Sequence, residues 1–443
     1  MPRGACVDSL GHVENGRYDA AIVGASIAGC AAATMLGRRG ARVALIESHR
    51  DPAKYKTTCT HFIQPSATPT LERLGLVEPI EAAGGIRNGL EIWTRFGWVR
   101  PRPGDDHPVP AYGYSIRRER LDPMLRTLAA ETEGVELMLG ATAKEVLWSD
   151  GRPAGLRVER ADGGSDEIRA KMIIAADGRN SGMAVLTGVR GRVLPNNRFM
   201  YFAYYRDLDL ICGTRSQFWF LDPDVAYAFP NDDGLTVMAL VATKDKLPAF
   251  KRDIEESFLR YFDDLPLAPD VRGAERVSPM LGKLDMPNVY RPVAKPGIAF
   301  VGDAAMAADP LWGVGCGWAL QSAEWLVEET AGALTGGGDL DASLERYRKR
   351  HFRSLVTHYL MTSDYSSGRR LNPLERFIFR AASRDHRTAL TFHDIGTRSV
   401  PPQKMFSPSV LGRAIWAALR GQDDSGPEVE EVARSNGRPA AVA

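Results

Sequence analysis

Cysteine is scarce in this 443-residue chain, with five residues at Cys6, Cys30, Cys59, Cys212 and Cys316. The number is odd and no two sit at the spacing of a zinc site, so neither a disulfide framework nor a metal centre is expected. Such usage fits a reducing, cytoplasmic compartment. An excess of one charge is also missing: 56 Lys and Arg balance 55 Asp and Glu, for a net charge of +1. Nucleic-acid and acidic-membrane partners usually leave a large basic excess, so neither is expected. The uncharged stretch 20–37 is rich in Gly and Ala, and Asp8, Glu14 and Asp19 precede it. A signal peptide starts basic and a membrane span is more strongly apolar, so a strand, a tight turn and a buried helix explain this stretch better. There is no internal repeat. Length and an ordinary balance of 44% hydrophobic and 25% charged residues predict two intertwined domains with an appendage.

The apolar run Tyr18–Val23 ends at Gly24 and reads as a strand; residues 27–39 read as a helix stopped by Gly40, and 42–47 as a second strand. That is a βαβ unit with a parallel pair. Helices are expected over 67–74, 119–132, 318–334, 344–359 and 374–382, and apolar strands over 171–175 and 298–301. Between 198 and 242, aromatic and β-branched runs separated by turns such as Asn231-Asp232-Asp233-Gly234 read as an antiparallel sheet. The polar ends, 1–17 and 423–443, read as disordered.

The turn Gly24-Ala25-Ser26-Ile27-Ala28-Gly29 departs from G-x-G-x-x-G at Ser26. Gly24 permits the tight turn, Gly29 close packing of helix on strand, and a small Ser26 still admits a pyrophosphate to the helix N-terminus. Glu47 closes the second strand, 18 residues past Gly29, where an acid accepts from a ribose hydroxyl. Strand, helix and acid in register favour a dinucleotide over a plain βαβ unit with a chance glycine pair.

Three further segments carry a resemblance. Arg118-Glu119-Arg120-Leu121-Asp122 with Leu125 is similar to R-x-x-L-D-x-x-L, and Ala176-Asp177-Gly178-Arg179-Asn180-Ser181 to A-D-G-x-x-S. Gly302-Asp303-Ala304-Ala305, Pro310 and Gly313-x-Gly315 are similar to G-D-A-A…P-x-x-G-x-G. In this order, over residues 18 to about 330, they resemble the FAD-dependent superfamily of class A flavin monooxygenases, flavin-dependent halogenases and geranylgeranyl-type reductases. The resemblance implies noncovalent FAD on an α/β Rossmann-type domain interleaved with an antiparallel-sheet substrate domain, plus C-terminal helices. The FAD-binding domain is expected over 18–60, 115–190 and 285–335, the substrate domain over 61–114 and 191–284, and the helical region over 336–422. Cofactor contacts are expected from Gly24, Ser26, Ile27, Ala28, Gly29, Glu47, Ser48, Arg118, Asp177, Gly178, Gly302, Asp303, Pro310, Gly313, Gly315 and Cys316. Arg118 is implied near the pyrophosphate, Asp303 at ribityl hydroxyls and the glycine loop at the pyrimidine end of the flavin ring.

Departures from the hydroxylase pattern point toward the other branches. Met306 stands where hydroxylases usually carry His, and Gly317 where they carry Asn. Lys56-Thr57-Thr58-Cys59 is similar to the reductases' K-x-C-G, and Ala226-Tyr227-Ala228-Phe229-Pro230 to an aromatic-x-F-P turn of both hydroxylases and reductases. The halogenase sequence W-x-W-x-I-P is absent. His61 and Tyr227 are catalytic candidates, and Tyr201, Tyr205, Trp219 and Tyr227 candidates to line a substrate pocket. A lone histidine is more often structural, and aromatic residues on a sheet are more often core.

The expected activity is monooxygenation of an apolar, ring-containing metabolite of secondary metabolism through a flavin C4a-hydroperoxide, with NADPH or NADH as electron donor and molecular oxygen as co-substrate. A double-bond reductase stays open beside it, and a halogenase or a non-catalytic FAD-fold protein rank lower. No second strand–glycine–helix pattern exists for the nicotinamide coenzyme. Oligomeric state is left open.

Overall fold

The apolar runs at the start of the chain become parallel strands because they are buried on both faces, where continuous hydrophobic sequence is stable. The computed structural model describes residues 17–102 and 112–420. The polar ends expected to be disordered lie outside these residues, except for Arg17, which opens the first strand. Across the main sheet the order is Ile298–Phe300, Ser165–Ala175, Arg17–Val23, Val43–Glu47 and Val135–Leu139, and these strands pair in parallel. The hairpin strands Ala141–Ser149 and Arg152–Arg160 extend it through antiparallel pairing to Ser165–Ala175.

The helix Ile27–Gly37 is buried along its whole length. Its run of small residues, Ala28 to Ala33, lets it pack closely against the sheet and against helices Arg118–Glu131 and Gly315–Gly336. The second sheet is mostly antiparallel, with central strands Arg198–Arg206, Leu235–Thr243, Val225–Pro230 and Ser216–Phe220. Its far side is completed by Leu90–Thr94, which pairs in parallel with Ser216–Phe220, and by Gly97–Val99. Those two strands lie in a stretch whose turn residues suggested only one helix.

Helix boundaries differ from the sequence expectation for identifiable reasons. The long helix starts at Gly315 instead of Trp318. Glycine favours loops in isolation, but here packing against the Ile27–Gly37 helix overrides propensity. Asp339 caps the helix Leu340–Tyr365 by accepting the Ala342 N–H, and Asn372 with Glu375 forms a capping box on Pro373–Ala382. Helix Ile254–Asp263 was not expected, while His386–Gly396 and Pro408–Arg420 fall in the expected helical region 336–422 without having been assigned individually. Among the described residues no helix is long and apolar enough to cross a membrane.

Candidate cofactor site

Four of the motifs follow the C-terminal ends of adjacent parallel strands. Gly24 comes after Val23, Glu47 ends its strand, Asp177 follows Ala175, and Gly302-Asp303 follow Phe300. In open α/β sheets this carboxyl edge is where ligands bind. Gly24 has φ +105°, and a Cβ there would lie 2.6 Å from the Ala176 carbonyl oxygen. A Cβ on Gly29 would lie 1.8 Å from the Gly24 carbonyl oxygen, so helix and turn touch only because both residues are glycine.

Glu47 is fixed at this turn. Its Oε2 accepts the Ala25 N–H at 2.9 Å, and its Oε1 accepts the His49 N–H at 3.0 Å and the Ser48 hydroxyl at 3.2 Å. No side chain caps the helix Ile27–Gly37. Ser26 Oγ is taken instead by Arg118, whose Nη2 donates to it at 2.7 Å. The first-turn amides and a buried guanidinium thus converge on one place, a setting for phosphate.

Arg118 opens its own helix and is held by Asp122, which accepts from Nε at 2.7 Å. The other Asp122 oxygen accepts the Lys56 N–H at 3.0 Å, bringing the segment before Cys59 over the groove. Lys56 Nζ then reaches Asp303 Oδ2 at 3.2 Å. Burial opposes ionisation of Asp303, yet Lys56, Arg179 and Arg118 outweigh it and hold the carboxyl below its usual value. Asp177 behaves differently: its two oxygens accept the Ser181 hydroxyl at 2.6 Å and the Met183 N–H at 2.9 Å, so the carboxylate is engaged in the turn that starts the next helix.

Cys59, His61 and Cys316 meet at the same groove. Cys59 Sγ lies 3.9 Å from Cys316 Sγ and accepts the His61 N–H at 3.3 Å. Hydrogen bonding from Cys316 and His61 outweighs burial and lowers the Cys59 thiol well below its usual value; Cys316 is pushed up by its bond to Cys59 and by burial. His61 sits at φ +66°, an uncommon conformation for a side-chain-bearing residue. Its Nδ1 accepts the Arg118 N–H at 3.0 Å and its Nε2 bonds the Tyr204 hydroxyl, so both ring nitrogens are engaged.

The loop Pro310–Gly313 is held against the second sheet. Tyr227 donates its hydroxyl to the Leu311 carbonyl at 2.9 Å, with the Pro310 carbonyl at 3.2 Å. Trp312 stacks on Phe218 with ring centroids 5.1 Å apart, and Phe62 stacks on Phe229 at 5.4 Å. A Cβ at Gly313 would fall 2.9 Å from the Phe62 ring, so glycine lets this loop lie flat on the aromatic surface.

Tyr201, Tyr205 and Trp219 are not part of this wall. They project to the opposite face of the sheet, in a separate core with Phe250, Phe258 and Phe262. Successive residues on a strand face opposite ways. Phe202, Phe218, Tyr227 and Phe229 therefore share the cofactor-side core, while Tyr201, Tyr205 and Trp219 take the other side. Both sets are apolar, so alternation did not say which faced the groove; these three are core side chains. Asp122, Tyr204, Phe62 and Trp312 were missed. Tyr204 and Trp312 carry no sequence signal, whereas Asp122 stands within the R-x-x-L-D segment itself.

A dinucleotide-binding α/β sheet with a buried arginine and a flat glycine loop defines an FAD-dependent oxidoreductase. Comparison with known proteins agrees: residues 17–221 match the model described as FAD binding domain, and the chain is an FAD-dependent oxidoreductase. It is 23% identical over 340 residues to a digeranylgeranylglycerophospholipid reductase of Thermoplasma volcanium, covering 75% of this chain and 82% of the relative. It is 27% identical over 347 residues to a menaquinone reductase of Mycolicibacterium smegmatis, covering 74% and 79%. The p-nitrophenol 4-monooxygenase PnpA of Pseudomonas putida shares the fold, with a TM-score of 0.70, 18% identity, and coverage of 87% of this chain and 98% of that one.

Proposed function

We propose that this protein is an FAD-dependent monooxygenase acting on a small, apolar, ring-containing metabolite. The observation that carries this reading is the buried aromatic core of Phe62, Phe218, Tyr227, Phe229 and Trp312, which holds no charged side chain and packs under the glycine loop. That packing makes the surroundings of the glycine loop apolar, which favours an apolar substrate over a charged one there. When bound, FAD would supply the two-electron redox chemistry that links a nicotinamide donor, NADPH or NADH, to oxygen. Glu47, Ser26, Arg118 and the first-turn amides of Ile27–Gly37 would hold its ribose and pyrophosphate. Lys56 and Asp303 would serve its ribityl portion, and the Gly313–Cys316 turn its ring. Burial keeps the Tyr227 hydroxyl protonated, so it acts as a hydrogen-bond donor that fixes the loop. The coenzyme docks transiently, because the described residues contain one dinucleotide-type parallel sheet.

A second reading, reduction of a carbon–carbon double bond, is favoured by a different observation. The His61 imidazole and the Tyr204 hydroxyl are hydrogen-bonded to each other beside Cys59, a source of protons for a substrate. The two relatives named as reductases also span three quarters of the chain. Labelled oxygen separates the readings. The enzyme is reduced anaerobically with NADPH or NADH, then mixed with ¹⁸O₂ and a panel of aromatic and isoprenoid compounds. Label in an organic product supports monooxygenation. Saturation of an alkene under anaerobic conditions, with no label entering any product, replaces it with the reductase reading.

A further inference from the structure

We infer that Cys59 and Cys316 are a peroxide-responsive thiol pair, a covalent modification site beside the flavin seat. The two sulfurs are 3.9 Å apart although 257 residues separate them in sequence. Cys59 is partly exposed and Cys316 is buried in the first turn of Gly315–Gly336. That asymmetry divides the work: an accessible thiolate attacks, and a shielded neighbour resolves the product. The His61 N–H at 3.3 Å favours the thiolate of Cys59, and Arg118 and Lys56 add positive charge nearby. A bonded pair is about 2.05 Å apart, so the sulfurs close by roughly 1.9 Å.

The chemistry balances with hydrogen peroxide as the oxidant. The Cys59 thiolate attacks one peroxide oxygen; an S–O bond forms, the O–O bond breaks, and the departing hydroxide takes a proton to become water. The Cys316 sulfur then attacks Cys59; the S–S bond forms, the S–O bond breaks, and the leaving hydroxide takes the Cys316 proton. Two thiols and one peroxide give one disulfide and two waters. Reduced flavin that meets oxygen without using it on a substrate releases hydrogen peroxide, so the pair stands next to a source of its own oxidant. The inference does not depend on which substrate the enzyme takes.

The test uses the full chain with FAD bound and no substrate. One equivalent of hydrogen peroxide is added, free thiols are blocked, and peptides are mapped without reduction. The expected result is an intact mass lower by about 2 Da, restored by dithiothreitol, with a linked Cys59–Cys316 peptide. Cys316→Ser should instead accumulate a sulfenic acid at Cys59 that dimedone traps, and Cys59→Ser should give neither product. In the untreated wild type at neutral pH, Cys59 should alkylate at least about tenfold faster than Cys212, whose thiol burial pushes up to about 11. Oxidation without the linked peptide, or Cys59 alkylating no faster than Cys212, overturns the inference.

Discussion

Asp309 Oδ1 accepts a hydrogen bond from Arg198 Nη2 at 2.9 Å, and both side chains are shut away from solvent. Asn196 donates to the other Asp309 oxygen at 2.8 Å, and the Leu311 N–H donates to Oδ1 at 2.9 Å. This ion pair ties the strand Arg198–Arg206 to the loop that begins at Pro310. Breaking one partner of a buried pair leaves an uncompensated charge, which costs about 3–5 kcal/mol. Asp309→Ala should lower stability by that amount in urea unfolding. Arg198→Met combined with Asp309→Leu should be less harmful than Asp309→Ala alone. A double variant as damaged as the sum of its singles would contradict this account of the pair.

Two glycines should respond in opposite ways to the same change. Gly29→Ala places a methyl 1.8 Å from the Gly24 carbonyl oxygen, so helix and turn must part. A cost of about 1–3 kcal/mol and markedly weaker FAD binding are expected. Gly332 lies inside the Gly315–Gly336 helix with no atom within 4 Å of an added Cβ. Gly332→Ala should leave FAD binding unchanged and raise stability by about 0.4–1 kcal/mol. Thermal unfolding with and without added FAD distinguishes the two.

Much of the cofactor cradle was legible because each part is a local pattern. Gly24, Gly29 and Glu47 sit at fixed spacing in one βαβ unit, and Asp303 follows a short apolar strand. The rest depends on long-range pairing. Tyr204 meets His61 across 143 residues, and Asp309 meets Arg198 across 111. No local pattern reports such a contact. The second sheet was readable as a sheet, but burial on both faces erased the polar alternation that would have told Tyr201 from Tyr204.

Stability should fall in mild acid. His351 and His358 are buried on the Leu340–Tyr365 helix, and desolvation with the nearby positive charge of Arg398 pushes each down to about 3. An unfolded histidine titrates near 6.5. Between these values the unfolded chain binds protons that the folded chain does not, so stability drops as pH falls, by about 1.4 kcal/mol per pH unit for each histidine. Unfolding midpoints measured from pH 7 down to pH 5 should decrease, and His351→Gln should flatten the slope below pH 6.5. An unchanged slope in that variant would show that His351 is not held neutral.

Glu47 should set cofactor affinity more than stability. Its carboxylate accepts the Ala25 N–H, and in the proposed cofactor seat it would also accept a ribose hydroxyl. Losing it costs about 1–3 kcal/mol of binding, so Glu47→Ala should raise the FAD dissociation constant roughly tenfold to a hundredfold. Fluorescence titration of the apoprotein with FAD measures the shift. An unchanged constant would mean that the carboxyl edge of Val43–Glu47 does not face the ribose.

The most direct measurement is the release of the cofactor itself. FAD is proposed to lie, without a covalent bond, across the strand ends at Gly24, Glu47 and Asp303. The purified protein should be yellow, and acid precipitation should deliver one FAD per chain to the supernatant. A colourless protein that takes up no added FAD, or colour that stays in the pellet, would contradict it.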